Sequence, residues 1–242
     1  MSALIDVKNL TFSYSGGRTV LRDICFSVSP DQVFVIAGQS GSGKTTLCKI
    51  LCGIIPHAVK GDISGEIKVL DIDPRETTLA QTALRAGMVF QDADSQIICT
   101  TVEDEIAFGL ENLCLTPYDI RKRVDELLSE FGFDELRDVN PASLSGGQKK
   151  LLTIAAVLAT SPRVLILDEP MSGLDAEGRE LVRTAIQSQK EQGRAVIVVE
   201  HDLKLVTFAD TWLLLKDGET AICGAPSGIQ QNEALLTDLG LL

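Results

Sequence analysis

One glycine-rich segment has the residue types and spacing needed to hold phosphate, and it reads Gly38-Gln39-Ser40-Gly41-Ser42-Gly43-Lys44-Thr45. Its glycines let the backbone curl so that successive N–H groups point inward, towards phosphate oxygens. Lys44 would place a positive charge beside the β- and γ-phosphates, and the Thr45 hydroxyl would bind Mg²⁺. The segment therefore predicts binding of a nucleoside triphosphate, against the plainer interpretation of a flexible Gly/Ser turn.

The flanking residues supply the elements that this phosphate loop (residues 38–45) needs. Residues 33–37 form a short apolar run, which is typical of a strand buried on both faces. From Thr46 the chain contains no Gly or Pro up to residue 52, and it places Leu47, Ile50 and Leu51 at helical spacing. The loop is therefore expected between a buried strand and a helix, which a match to the pattern alone does not guarantee.

Two further apolar runs end in side chains that could act on a phosphate. Asp168 and Glu169 follow residues 164–167, and His201 follows residues 195–199. Adjacent carboxylates repel each other, so placing them at the end of a buried strand is costly unless a cation or a proton relay uses them. Asp168 suits Mg²⁺ and Glu169 suits polarising a water. One interpretation of His201 is that it merely caps a helix or fills a polar gap. We expect instead that it faces the same crevice as Asp168 and Glu169, because ligands bind there in open α/β sheets.

Three other places contribute candidate residues. Gln91 ends the apolar strand predicted at residues 87–91, where it could contact Mg²⁺ or water, or be an ordinary strand-end amide. Tyr14 precedes the turn at residues 15–17 and could stack on an adenine ring or simply pack on its sheet. The run Leu144-Ser145-Gly146-Gly147-Gln148 opens the long apolar helix predicted at residues 151–159. Its adjacent glycines expose backbone N–H groups at a helix start, which favours an anion.

The 242 residues are enough for one α/β domain with subdomains. We expect a nucleotide-binding core with a β subdomain from residues 1–90 and 161–223, a helical subdomain from residues 91–160, and a short tail from residues 224–242. Acidic residues outnumber basic ones by 34 to 22, giving a net charge of −12 that disfavours nucleic acid. No apolar run has the length of a membrane span and the N-terminus lacks signal-peptide features, so a cytoplasmic protein is expected.

Together these motifs resemble those of the ATPase subunit of an ABC transporter, in the correct order and over nearly the whole chain. The matches are the phosphate loop with Walker A, Gln91 with the Q-loop, residues 144–148 with the signature, residues 164–169 with Walker B, residues 172–175 with the D-loop, His201 with the switch histidine, and Tyr14 with the adenine-stacking aromatic. The resemblance implies a P-loop NTPase (RecA-like) core of α/β class, with an antiparallel β subdomain and an α-helical subdomain.

The resemblance also implies a mechanism with two ATPase subunits, identical or related, arranged head to tail. ATP and Mg²⁺ held by one subunit would be closed over by the other subunit's signature and D-loop, which offer Ser145, Gly146, Gly147, Gln148 and Asp175. Glu169 would be the general base, His201 would hold the γ-phosphate and water in line, and Gln91 would link Mg²⁺ to the transport partner. Integral membrane transporter subunits are then the expected partners, with this chain peripheral on the cytoplasmic face of the membrane and no nucleic acid bound.

A finer resemblance is to the energy-coupling factor group, which imports vitamins and cobalt or nickel ions. It is carried by residues 90–96 and 101–112, and more weakly by residues 56–66, which are similar to members associated with thiamine-precursor uptake. The chain departs from the family at Lys150 and Leu151, where an arginine is usual, and its C-terminal extension is short. Residues 97–99 are apolar and would contact a membrane subunit or pack under the helical subdomain.

Two other functions are compatible with part of the sequence. A soluble ABC-type ATPase acting on nucleic acid or ribosomes would also lack a membrane span, but the acidic balance and the absence of a basic arm oppose it. A regulatory module that binds ATP without turnover is opposed by the presence of Lys44, Asp168, Glu169 and His201 together.

Overall fold

The computed structural model describes residues 3–241. It divides into two compact units: the first holds the residues up to Met88, Arg163–Glu169 and those from Ile186 onward, and the second holds Val89–Pro162 and Pro170–Ala185. The sequence-based division assigned residues 161–223 entirely to the core, whereas Pro170–Ala185 packs within the second unit. Its Leu174 is buried, and a Cβ added at Gly147 would lie 3.3 Å from the Leu174 side chain.

The structure contains the following strands and helices. They are β1 (Ile5–Tyr14), β2 (Thr19–Val28), β3 (Gln32–Gly38), β4 (Gly61–Val69), β5 (Ala86–Val89), β6 (Val164–Asp168), β7 (Ala195–Val199), β8 (Thr211–Lys216) and β9 (Glu219–Gly224). The helices are α1 (Lys44–Leu51), α2 (Ile54–His57), α3 (Leu79–Ala83), α4 (Val102–Asn112), α5 (Pro117–Glu130), α6 (Gly146–Ala159), α7 (Ala176–Glu191), α8 (Pro226–Ile229) and α9 (Glu233–Asp238), with 3₁₀ turns at Asp134–Leu136, Pro141–Ser143 and Leu203–Val206.

A six-stranded sheet in the order β5-β6-β7-β3-β8-β9 organises the core. Strand β3 runs parallel to β7 and β8, β6 runs parallel to β7, and β9 closes the sheet antiparallel to β8. Strands β6 and β7 are buried along their whole length, which explains their continuous apolar sequences. Because parallel strands end at the same edge, the residues that follow β3, β6 and β7 meet there.

A smaller antiparallel sheet in the order β2-β1-β4 forms the rest of the predicted β subdomain. Buried and more exposed residues alternate along much of β2, from Leu21 to Val28, as expected of a sheet that is wet on one face. Strand β1 ends at Tyr14, immediately before the turn that leads into β2.

Helices α4, α5 and α6 dominate the second unit, and each begins at a side-chain cap. The caps are Thr101, Thr116 and Ser145, whose hydroxyl oxygens accept the backbone N–H three residues later. The buried faces of the helices include Ile106, Leu127 and Leu152. Within residues 3–241, no helix combines the length and apolar character needed to cross a bilayer.

Candidate active site

The phosphate loop lies between β3 and α1, as the sequence predicts, and two of its glycines are required by close contacts. Gly38 and Gly43 have φ of 150° and 101°, values that other residues rarely adopt. A Cβ at Gly38 would lie 2.3 Å from the Leu215 carbonyl oxygen, and one at Gly43 would lie 2.6 Å from a Leu21 methyl carbon. At Gly41, with φ of 83°, an added Cβ would meet open space. The loop is therefore packed against the core at both ends and open in the middle.

The Lys44 side chain folds back over this loop. Its Nζ donates to the carbonyl oxygens of Gly38, at 2.7 Å, and Gln39, at 3.0 Å. Burial lowers the pKa of Lys44, while the carboxylates of Glu169 and Asp168 act in the opposite direction. The ammonium group is thus held inside the loop, where it can exchange carbonyl acceptors for phosphate oxygens.

Ser42 provides a test of whether phosphate fits the loop. Its side chain is buried, and within residues 3–241 its Oγ has no hydrogen-bond partner. A buried hydroxyl without a partner is costly, and most such groups in native proteins are satisfied. Lining the loop beside Lys44, this hydroxyl suits a ligand with strong acceptor oxygens, so the residues present fit a polyphosphate.

The Thr45 hydroxyl and the Asp168 carboxylate come together from α1 and β6. Thr45 Oγ1 donates to Asp168 Oδ2 over 2.8 Å. Burial raises the pKa of the Asp168 carboxyl, and the hydrogen bond from Thr45 partly opposes that shift. Residues 3–241 contain no group of three or more His, Cys, Asp or Glu side chains placed to hold a metal. This hydroxyl and carboxylate pair suits Mg²⁺, which keeps water ligands and takes phosphate oxygens from its substrate.

Glu169 follows directly at the end of β6 in an unusual backbone conformation. Its φ is 52°, a left-handed value that is uncommon outside Gly and Asn and that clusters at functional sites. His201 Nδ1 lies 3.7 Å from Glu169 Oε1, and the His201 side chain is 60% exposed. The structure therefore brings the predicted base and the predicted histidine together at the edge of the sheet.

Glu200 is a neighbour that the sequence did not single out. It is fully buried, and its Oε2 lies 3.9 Å from His201 Nδ1. Its signal in the sequence was a carboxylate directly after the apolar run of β7, the same pattern that identified Asp168. The carboxylates of Glu169 and Glu200 therefore both lie within 4 Å of His201 Nδ1.

Tyr14 lies beside the helix that follows the loop. Its hydroxyl is 3.0 Å from Thr46 Oγ1, and its ring meets the Phe12 ring edge-on with centroids 4.8 Å apart. These contacts fix the orientation of the half-buried ring. They are compatible with either interpretation of Tyr14, a nucleotide platform or a sheet aromatic.

The remaining predicted residues line a cavity of about 780 Å³ in the second unit. Its lining includes Gln91, Asp175, the cap residue Ser145 and the first residues of α6 up to Leu151. The helix begins earlier than the predicted residue 151, because Ser145 and Gln148 form a capping box: Ser145 Oγ accepts the Gln148 N–H at 3.2 Å and Gln148 Oε1 accepts the Ser145 N–H at 2.9 Å. Accepting that bond leaves the Ser145 hydroxyl proton free to be donated.

Asp175 and Gln91, the other two predicted residues of this cavity, lie in different local structures. Asp175 Oδ1 accepts the Gly178 N–H at 2.8 Å, which caps the start of α7. Gln91 is exposed and lies two residues beyond β5. An added Cβ at Gly146 would meet open space, so the backbone at the start of α6 is accessible to an anion.

Comparison with known families decides the identity of the chain. A model described as "ABC transporter" matches residues 21–172, which is more than half of the chain. The chain belongs to the ABC transporter family. The resemblance and fold class predicted from the sequence are confirmed, and this ABC protein is an ATPase.

Curated relatives of this ABC ATPase include the energy-coupling factor transporter ATP-binding protein EcfA1 of Streptococcus thermophilus. The two are 38% identical over 241 residues, covering 98% of this chain and 86% of that protein. A putative ABC transporter ATP-binding protein of Methanosarcina mazei is 37% identical over 99% of this chain, which spans only 42% of that relative's length.

Solved structures similar to this ABC ATPase also include ATP-binding subunits and cassettes. The cbiO1 protein of Clostridium perfringens, described as part of the ABC transporter complex cbiONQ, has a TM-score of 0.84 and 33% identity, covering 100% of this chain and 96% of that one. An ATP-binding cassette solved as a dimer in a post-hydrolysis state with ADP and Pi has a TM-score of 0.80 and 25% identity, covering 91% of this chain and 98% of that one.

Proposed function

We propose that this ABC ATPase drives an importer of the energy-coupling factor type, which takes up a vitamin or cobalt or nickel ions. The observation that carries the proposal is the meeting of four groups at one edge of the parallel sheet: Lys44 in the loop, the Thr45–Asp168 pair, Glu169 and His201. A nucleotide-binding module without turnover would not need a carboxylate and an imidazole placed together beyond the phosphate cradle.

In this proposal the first unit holds and cleaves MgATP. The backbone of residues 38–43, Lys44, Thr45 and Thr46 bind the phosphates, Tyr14 stacks on adenine, and Glu169 takes a proton from the attacking water. His201 holds the water and γ-phosphate in line, and its position 3.7 Å from Glu169 supports that role. Mg²⁺, when bound by Thr45 and Asp168, would neutralise phosphate charge.

The second unit would serve the nucleotide of another ATPase subunit, identical or related. Ser145, Gly146, Gly147, Gln148 and Asp175 all line one cavity, with an open helix N-terminus that favours phosphate. The structural relative solved as a dimer supports this pairing. ATP would then bridge two subunits, so that closing and opening follow binding and hydrolysis.

In this proposal, closing and opening of the two ATPase subunits moves membrane subunits that they contact. The chain would then lie at the cytoplasmic face of the membrane. The EcfA1 relative and the cbiO1 neighbour support an energy-coupling factor complex. Ile98 is a candidate contact, because its side chain is 63% exposed while its N–H and that of Cys99 are held by Glu105 Oε2 at 2.9 and 2.8 Å. A large apolar side chain on an anchored segment suits a partner surface.

The test is purification of the tagged chain from its native membranes in mild detergent. We expect integral membrane proteins to co-purify, the complex to hydrolyse ATP, and a bound vitamin or metal to be identified by mass spectrometry. Lys44→Ala is the matched control: it should keep the partners and lose the turnover. Recovery of soluble partners only, with full ATP turnover, would contradict the transport function.

A further inference from the structure

Lys150 is a charged residue on the buried side of helix α6. It is only 7% exposed, and the two residues that follow it, Leu151 and Leu152, are buried as well. Its Nζ donates to the Ser172 carbonyl oxygen over 3.0 Å. Taking an ammonium group out of water is costly, so a lysine at such a position calls for a reason other than stability.

The carbonyl that Lys150 holds belongs to the turn that carries Asp175. The turn at residues 172–175 and the start of α6 line the same cavity in the second unit. The hydrogen bond therefore joins the two segments that the proposed function presents to one nucleotide. Without it, packing of Leu174 near Gly147 would still hold the turn in place, but would leave its backbone orientation less defined.

The preceding residue makes a second link on another side of the helix. Lys149 Nζ lies 2.6 Å from Asp94 Oδ1, in the segment just after Gln91. Consecutive helical residues point about 100° apart, so Lys149 and Lys150 reach different segments. The Asp94 side chain is 70% exposed, so this outer pair is the weaker of the two.

We infer that Lys150 is a positioning residue, which fixes the turn at residues 172–175 to the start of α6 so that Ser145 and Asp175 meet the partner subunit's nucleotide as one rigid surface. The inference rests on the proposed function, because that function supplies the nucleotide. It gives a role to one of the two positions where the sequence departs from its family.

Lys150→Met tests the role, because methionine fills a similar volume without the ammonium group. Replacing a buried charge by an apolar side chain is often neutral or stabilising, so we expect the thermal midpoint to stay the same or rise. We expect kcat/KM of the purified ATPase complex to fall by about 10- to 100-fold, the scale of a small misplacement of catalytic groups. ATP affinity of the isolated chain should not change, because its own phosphate loop lies in the first unit.

Two further variants complete the experiment. Lys150→Arg keeps a charged donor and should restore most of the turnover, whereas Lys122→Met, on an exposed position of α5, should behave as the parent. Unchanged turnover in Lys150→Met, or a fall in the thermal midpoint that accounts for the lost turnover, would overturn the positioning role. Failure of the parent complex to hydrolyse ATP would instead overturn the proposed function.

Discussion

Glu169 combines a left-handed backbone with a carboxylate beside His201, and these features point to one chemical role. A strained conformation persists where the surrounding structure determines it, and here the Glu169 N–H is held by the Val199 carbonyl oxygen at 3.0 Å. That bond ties the residue to the adjacent strand, so the carboxylate is oriented before any substrate arrives. Preorganised groups of this kind act without reorganisation during the reaction.

Glu169→Gln should therefore leave ATP binding intact and slow hydrolysis by roughly 100- to 10,000-fold, the usual contribution of a general base. Glutamine keeps the size and the polar contacts of the side chain but cannot take a proton. Nucleotide affinity by fluorescence and steady-state phosphate release measure the two effects separately. Undiminished turnover would remove Glu169 from the role of base.

At the scale of elements, the same capping motif has two different consequences in the second unit. Thr116 and Ser145 each accept a backbone N–H at 3.2 Å and begin helices α5 and α6. Only Ser145 lines the cavity proposed to receive a nucleotide. Comparing substitutions of Thr116 and Ser145 therefore distinguishes the effect of a cap on helix stability from a role of Ser145 in nucleotide binding.

We expect Ser145→Ala and Thr116→Ala to lower the free energy of unfolding by similar amounts, about 1 kcal/mol each. Only Ser145→Ala should also lower ATP turnover, by about 10- to 100-fold, since a hydrogen bond to a charged group contributes roughly 1.5–3 kcal/mol. Urea unfolding and phosphate release measure the two effects. Equal turnover in both variants would mean that Ser145 only caps its helix.

For the whole molecule, the net charge favours the transport function over the alternative of an ATPase that acts on nucleic acid. The formal charge of −12 opposes phosphate backbones at long range, and a protein gains nucleic-acid affinity mainly by neutralising phosphates. ATP is an exception only locally, because the loop residues and Lys44 surround its phosphates at short range.

We therefore expect no retention of double-stranded DNA or ribosomal RNA by this chain at physiological ionic strength. Electrophoretic mobility shift at several salt concentrations is the measurement, with the Lys44→Ala variant showing whether any signal comes from the nucleotide site. Binding that weakens steeply with salt would revive the alternative of a soluble ATPase that acts on nucleic acid.

The sequence by itself determined the motifs, the element types and the fold class. The phosphate loop and the β6 carboxylates are local patterns, in which neighbouring residues specify the backbone. The parallel sheet then follows, because buried apolar runs separated by helices pair in only a few ways. Asp168 and His201 could be assigned to one edge for that reason.

Only the tertiary structure decided contacts between residues far apart in the chain. The bond from Lys150 to Ser172 and the packing of residues 170–185 in the second unit have no local signal. The sequence places Glu200 at the end of β7, but only the fold shows that it is buried and lies beside His201. Each depends on which segments pack together and which side chains lose water in doing so. Burial and hydrogen bonding are properties of the folded chain, so a lysine that looked like a departure from a motif could be given a role only there.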